Sequence, residues 1–315
     1  MKTPLFWNKK SIKSYLLLPL AYIYYMIYKI RCLINKTPYK SKIKVICIGN
    51  IVVGGAGKTP IAIEVAKICK ENNKKFCFLS KGYGGNFKDV LKLDKNSTSE
   101  IVGDEPLLLF KYGDVFVSKN RINGLKYIEN NFNYDYIIVD DGLQNPTFYK
   151  DKIILVIDGN FGFGNGFILP AGPLRETFKN VYKKTDLVII NNKINNYISN
   201  LCKQYNVKNI NTNIVIDNID ELKNKEFIAF CGIGRPEKFK QTLIDNDIKI
   251  KDFIIFEDHY KYKDVDIEKM LINGYNLITT TKDYVKINDK YKNKIYFVDI
   301  HIELNKKELM DVIYE

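Results

Sequence analysis

A lysine, a threonine and three glycines within a few residues are the groups that could hold the phosphates of a nucleotide. Residues 49–60 read GNIVVGGAGKTP. Gly54, Gly55 and Gly57 carry no side chains, so backbone N–H groups there can close around phosphate oxygens, and a helix starting at this point adds partial positive charge. Lys58 supplies a full charge for the outer phosphates, and Thr59 offers a hydroxyl to a phosphate-bound magnesium ion. The strict pattern has glycine five residues before Gly57, where this chain has Val52. A bare GxGK match is equally the signature of a tight turn with a solvated lysine. The flanks decide the matter: an apolar, β-branched run (residues 43–48) precedes the glycines and a helical pattern (residues 61–69) follows them.

Carboxylates that could serve magnesium come next. In residues 135–144 (DYIIVDDGLQ) four apolar residues read as a buried parallel strand, and Asp140 and Asp141 emerge at its carboxyl end, where open α/β sheets bind ligands. Paired acids after a strand can also be a plain turn. The stretch 162–176 (GFGNGFILPAGPLRE) has the glycine, aromatic and proline content of a functional loop. Arg175 within it is one of only four arginines, and a guanidinium fork is a better phosphate clamp than a lysine. Glu176 beside it could reach the metal, and a surface ion pair is the competing use of both. Asp104, in GDEPLLLF, precedes a helix-like run, where capping is the commoner role. His259 is one of two histidines and lies in the acidic turn FEDHY, although a lone histidine is more often structural. Residues 81–85 (KGYGG) form a turn that could bring backbone close to a ligand.

These residues need a scaffold, and the chain alternates strand-like and helix-like segments throughout. That pattern predicts an α/β fold: a P-loop NTPase-like, mainly parallel sheet with flanking helices, a smaller α/β carboxy-terminal lobe, and a membrane-associated amino-terminal helix. The pattern restarts at Glu226 after a polar stretch, so the expected division is residues 1–40, 41–215 and 216–315. At 315 residues one or two domains are expected, and 46% hydrophobic content is that of a globular protein.

The net charge of +13 is localised: residues 1–63 hold eleven basic residues, Lys2, Lys36 and Lys58 among them, and no acidic one. That argues against a nucleic-acid surface spread over the fold. The same end carries fourteen uncharged residues, 15–28 (YLLLPLAYIYYMIY). As a helix they reach about 21 Å against a hydrocarbon core of about 30 Å, short for a clean span. Tyrosines and flanking cations suit a helix lying in an anionic interface; a tilted span and a buried core helix are the alternatives. Six cysteines lack metal-type spacing, which favours a reducing, cytoplasmic setting.

Taken in order, GNIVVGGAGKTP, SKGYGG, GDEPLLL, DDGLQ, FGNG with LPAGPLRE, GIGRPEKF, DH and TKDYVK resemble the tetraacyldisaccharide 4'-kinase family from the amino-terminal apolar segment to about Lys286. The missing first glycine is this family's own form. Lys81 replaces its usual arginine, and Asn145 the histidine that usually follows the glutamine. The resemblance implies a membrane-bound kinase that moves the ATP γ-phosphate to the 4'-hydroxyl of a tetraacylated disaccharide 1-phosphate in lipid A biosynthesis, with a cleft between two lobes. It implies ATP binding by Val52, Val53, Gly54, Gly55, Ala56, Gly57, Lys58 and Thr59. Magnesium service falls to Thr59, Asp140, Asp141 and Glu176, and charge stabilisation to Arg175 and Lys58. The Asp and His base pair maps onto Asp104 and His259. The expected location is the cytoplasmic face of the inner membrane, with no nucleic acid and no obligate protein partner. The rival is a membrane-recruited ATPase switch acting through partner binding. Such ATPases carry an extra lysine where this chain has Val53.

Overall fold

The structure, a computed structural model, describes residues 4–35, 37–272 and 274–314. Lys2, Lys36 and the terminal Glu315 lie outside the described residues. Among the described residues the alternating pattern forms eight strands before residue 217: β1 (Lys44–Gly49), β2 (Phe76–Ser80), β3 (Val90–Lys92), β4 (Asp114–Ser118), β5 (Tyr136–Asp140), β6 (Lys152–Asp158), β7 (Leu187–Asn191) and β8 (Lys208–Ile216). The inner strands β1, β5, β6 and β7 are almost continuously buried, which is why their sequences are near-unbroken apolar runs. One face packs Ile46, Ile48, Phe78 and Ile138 under Val65 and Ile68 of the Lys58–Glu71 helix, and the other packs Cys47, Leu155, Ile157 and Ile190. β1 pairs in parallel with β5 on one side and β6 on the other. The loop after β1 therefore emerges at mid-sheet, and the register setting Ile48 opposite Asp140 brings the first carboxylate beside it.

A second, all-parallel sheet holds β9 (Glu226–Cys231), β10 (Lys249–Ile255), β11 (Asn276–Thr280) and β12 (Ile295–Val298), in the order β10-β9-β11-β12. It has its own core around Phe227, Phe230, Leu243 and Leu277. The last segment departs from the expected 216–315 lobe. β13 (Ile300–Glu303) pairs antiparallel with β8, making the large sheet nine-stranded in the order β13-β8-β7-β6-β1-β5-β2-β4-β3. The Lys306–Tyr314 helix then buries Leu309, Val312 and Ile313 in the core beneath the Lys58–Glu71 helix. The physical reason is an edge: β8 would otherwise present unpaired N–H and C=O groups. Leu309→Ala is accordingly expected to destabilise the large lobe by about 2–5 kcal/mol, read as a lower denaturant midpoint.

At the other end, Ser11 accepts from the backbone N–H of Ser14 and caps the short Ile12–Leu16 helix. The Leu18–Ile34 helix follows, with proline in its first turn where the missing N–H is harmless. This segment is tied to the stretch 162–176: Trp7 Nε1 donates to Pro170 O at 3.1 Å, and Asn165 donates to Phe6 O and Ser14 Oγ. The long helix buries only Ala21, so it is no core helix, and no described helix is long and apolar enough to cross a membrane. Leu20, Ile23, Ile27, Ile30 and Ile34 are exposed along it. All six cysteines are unbridged.

Candidate active site

The loop after β1 takes its shape from two left-handed glycines and two buried amides. Gly54 and Gly57 have φ of +108° and +89°, backbone that side chains disfavour. A Cβ on Gly57 would lie 2.4 Å from Asn191 Nδ2. That amide holds Ala56 O at 2.7 Å, and its oxygen accepts from Thr212. Asn50 Nδ2 donates to Val52 O and Gly54 O at 2.6 and 3.2 Å. The loop is pinned from outside as well, since Val53 N donates to Pro173 O and Arg175 N to Ile51 O. Neither Asn50 nor Asn191 figured in the sequence reading. Each is an asparagine at or just past the end of an apolar strand, the one local sign that could have flagged it. Gly57→Ala is expected to abolish measurable nucleotide binding, because both the backbone angle and the Asn191 contact fail together.

Lys58 is largely enclosed, with its Nζ 3.4 Å from Asn50 Oδ1 and 3.8 Å from Asp141 Oδ1. Thr59 Oγ1 donates to Asp140 Oδ2 at 3.0 Å. The other Asp140 oxygen is buried without a hydrogen-bond partner. Burial, then the charge of Glu105, pushes the Asp140 carboxyl up to about 7. A buried carboxylate oxygen lacking a donor, beside a threonine hydroxyl at a phosphate-type loop, is chemistry that fits a hard divalent cation. Among the described residues no group of three or more His, Cys, Asp or Glu could hold a metal alone, so such an ion would draw its remaining ligands from phosphate and water. Arg121 fixes the backbone at this point by donating to Asp140 O at 3.1 Å.

Asp141 and Glu176 have other partners. Asp141 has φ of +55° and receives Arg175 NH1 on both oxygens, at 3.0 and 3.2 Å. Burial would raise its carboxyl, but Lys58 and then Arg175 outweigh that and hold it below the usual aspartate range. Glu176 is buried, its two oxygens accepting from Tyr28 Oη at 3.0 Å and Gln144 Nε2 at 3.2 Å, with Lys184 Nζ at 3.6 Å. Of the four expected metal residues, the structure joins Thr59 to Asp140 directly, gives Asp141 to Arg175, and engages Glu176 with donors from three other elements.

The small lobe contributes residues that follow the carboxyl ends of β9, β10 and β11, and they meet the ends of the large lobe's strands. After β9, Arg235 donates to Val53 O at 3.2 Å and stacks on the Phe161 ring at 3.9 Å, while Lys238 pairs with Asp158 at 2.6 Å. After β10 comes His259, whose Nδ1 lies 3.1 Å from Asp104 Oδ2 across the two lobes. Its φ is +60° and its N–H donates to Gly232 O. After β11, Lys282 pairs with Glu105 at 3.3 Å, and the buried Lys286 lies 3.8 Å from Asp104 and 2.6 Å from Asp283. The turn at residues 81–85 packs against the loop before Asp104: a Cβ on Gly103 would meet Tyr83 O at 2.4 Å. Tyr83 in turn lies against the His259 ring, 5.2 Å between centroids.

Burial favours protonating Asp104, but the His259 hydrogen bond and the Lys286 and Lys282 charges prevail and lower its pKa. The sign follows: this stabilisation is present above the ordinary aspartate range and is lost as pH falls through the lowered value, so Asp104 is ionised at neutral pH. An ionised Asp104 accepts the Nδ1 proton and leaves Nε2 of a neutral imidazole with its lone pair free. The arrangement can therefore cradle phosphates at one end of a cleft and accept a proton nearby.

Residues 13–315 match the family model for tetraacyldisaccharide-1-P 4'-kinase. The tetraacyldisaccharide 4'-kinase of Rickettsia canadensis (strain McKiel) is 41% identical over 314 residues, covering 98% of this chain and 95% of the relative. That of Rickettsia felis is 40% identical over 312 residues, with the same coverage. The crystal structure of LpxK from Aquifex aeolicus in complex with ATP superposes with a TM-score of 0.77 at 27% identity, covering 96% of this chain and 98% of that one.

Proposed function

Because the chain belongs to the tetraacyldisaccharide-1-P 4'-kinase family, we propose the following division of labour among its residues in that reaction. The enzyme is an ATP-dependent lipid kinase of lipid A biosynthesis, moving the ATP γ-phosphate to the 4'-hydroxyl of the acylated disaccharide 1-phosphate. Residues 52–59 cradle the phosphates, with Lys58 on the outer ones. Thr59 and Asp140 would hold magnesium, whose charge would be supplied to the phosphate oxygens. Arg175, oriented by Asp141 and Gln144, meets charge that develops on the transferring group. His259, held by Asp104, takes the proton of the 4'-hydroxyl as the new O–P bond forms and the bond to ADP breaks. The two lobes, divided near residue 216 with residues 300–314 returning to the large one, bring the base and the phosphate loop to one cleft, with Arg235 and Lys238 bracing it from the small lobe.

The observation that carries this reading is the approach of Thr59 to Asp140 and of Lys58 to Asp141, where the loop after β1 meets the end of β5. With γ-labelled ATP and the disaccharide lipid, label is expected in an organic-soluble product. Label released only as inorganic phosphate would instead favour a nucleotide switch.

Docking on the cytoplasmic face of the inner membrane falls to the Leu18–Ile34 helix. Ile23 and Ile27 are exposed on it, the same amino-terminal segment exposes Lys10, Lys13, Lys29 and Arg31, and basic residues near an anionic leaflet contribute about 1 kcal/mol each. Burying an isoleucine adds about 1.5–3 kcal/mol. Ile23→Asp with Ile27→Asp is expected to release the enzyme from phosphatidylglycerol vesicles in a sedimentation assay while nucleotide still binds. Continued pelleting at moderate salt would locate the anchor elsewhere.

A further inference from the structure

One run of hydrogen bonds joins the Leu18–Ile34 helix to the phosphate loop, and neither docking nor phosphoryl transfer as described above uses its first member. Tyr28 Oη donates to Glu176 Oε2 at 3.0 Å. Gln144 Nε2 donates both to Glu176 Oε1 at 3.2 Å and to Asn50 O at 2.8 Å. Gln144 Oε1 accepts from Arg175 NH1 at 3.3 Å, and the same NH1 holds Asp141, which lies 3.8 Å from Lys58. The side chain of that same Asn50 holds the loop carbonyls and approaches Lys58.

The helix is two-sided. Ile23, Ile27 and Ile30 are exposed, whereas Tyr25 and Tyr28 meet Asn180 and Glu176 of the protein. Tyr24 lies within electrostatic reach of both Arg175 and Glu176. Burial, then the Glu176 charge, raises the Tyr28 phenol above its ordinary range, so it remains a donor at any working pH. Glu176 is almost wholly enclosed and needs every donor it has. Without the Tyr28 hydroxyl its second oxygen keeps the more distant Lys184, and the uncompensated charge competes with Asn50 O for the Gln144 Nε2 donor, shifting the Oε1 that accepts from Arg175.

We propose that Tyr28 is a positioning residue through which seating of the Leu18–Ile34 helix on a lipid surface sets Gln144, Arg175 and the phosphate loop, so that transfer is faster at a membrane than in solution. The relay rests on the kinase reading above. Its test compares kcat on one disaccharide acceptor carried in phosphatidylglycerol vesicles with kcat on a water-soluble, short-chain analogue, using the full chain. Wild type is expected to turn over the vesicle-borne acceptor about tenfold faster, the effect of one charge-assisted hydrogen bond properly held. Tyr28→Phe should bring that ratio close to one, with KM for ATP and for the acceptor within about twofold, because the phenylalanine still packs. Adding Tyr28→Phe to Gln144→Ala should lower kcat no further than Gln144→Ala alone, since the two act in series. A vesicle-to-solution ratio unaltered by Tyr28→Phe overturns the relay alone, as does a raised acceptor KM with unchanged kcat. Wild-type enzyme that labels neither acceptor overturns the relay together with the reading beneath it.

Discussion

Lys58→Ala is expected to lower kcat by on the order of 10²–10³-fold at saturating ATP, about 2.7–4 kcal/mol of transition-state stabilisation. The ammonium sits between Asn50 Oδ1 and Asp141, so it is held at one place and not swept through solvent. A charge fixed in advance strengthens its contact as negative charge redistributes over the transferring phosphoryl oxygens, and costs no reorganisation then. Its part in the fold is smaller. The partner carboxylate of Asp141 retains Arg175, so a contact at 3.8 Å between side chains 13% and 34% exposed leaves no orphaned charge when it is lost. Lys58→Met, which keeps the aliphatic stem, should behave like the alanine variant in turnover and like wild type in melting temperature. Near-normal kcat in both would remove Lys58 from the chemistry.

The second large effect belongs to the pair that crosses the cleft. His259→Ala and Asp104→Asn are each expected to lower kcat by about 10²–10⁴-fold, the usual span for loss of a general base, with ATP affinity little changed. Asparagine is the cleaner replacement at Asp104, because the buried Lys286 lies 3.8 Å away and an alanine would strip it of that neighbour. In Asp104→Asn the ring keeps a hydrogen-bonding neighbour but loses the charge that selects its Nδ1–H tautomer. The double variant should be scarcely slower than either single one, since a base and its orienting group act as a unit. Multiplying effects would mean that the two residues work independently. Asp258 competes for the role of partner; its oxygen is 3.9 Å from Nε2, farther than Asp104 is from Nδ1, so Asp258→Asn should cost much less.

How much of this was legible in the sequence follows from how local each signal is. The phosphate loop was readable because strand, glycines, Lys58 and Thr59 are contiguous, and a buried strand ending in Asp140 announces a ligand-side carboxylate by the same local logic. The Asp104 and His259 pair was reachable only through family resemblance: the two residues lie 155 positions apart and no periodicity relates them. Glu176 was expected at the metal because it adjoins Arg175. Yet the two side chains diverge at a bend in the backbone, so Arg175 reaches Asp141 while Glu176 reaches Tyr28 on the amino-terminal helix. Residues 300–303 form a strand, but nothing local to them records which sheet will accept it. The open edge of β8 decides that, and its paired residues lie 84 to 90 positions earlier in the chain. The supporting residues Asn50, Gln144, Asn191 and Arg121 left the faintest traces, since each acts on backbone carbonyls whose positions exist only after folding.

The central claim is that the small lobe carries the proton acceptor and the large lobe orients it. The pH dependence of kcat on the lipid acceptor at saturating magnesium tests this most directly, because Asp104 is already ionised throughout the neutral range, and a cation bound at Asp140 would keep that carboxyl, otherwise pushed up to about 7, ionised as well. Wild type is predicted to lose activity on the acid side, and the residual activity of His259→Ala is predicted to be flat over the same interval. An acidic limb unchanged in His259→Ala, accompanied by a raised acceptor KM, would contradict the account and leave His259 with a role in binding the lipid.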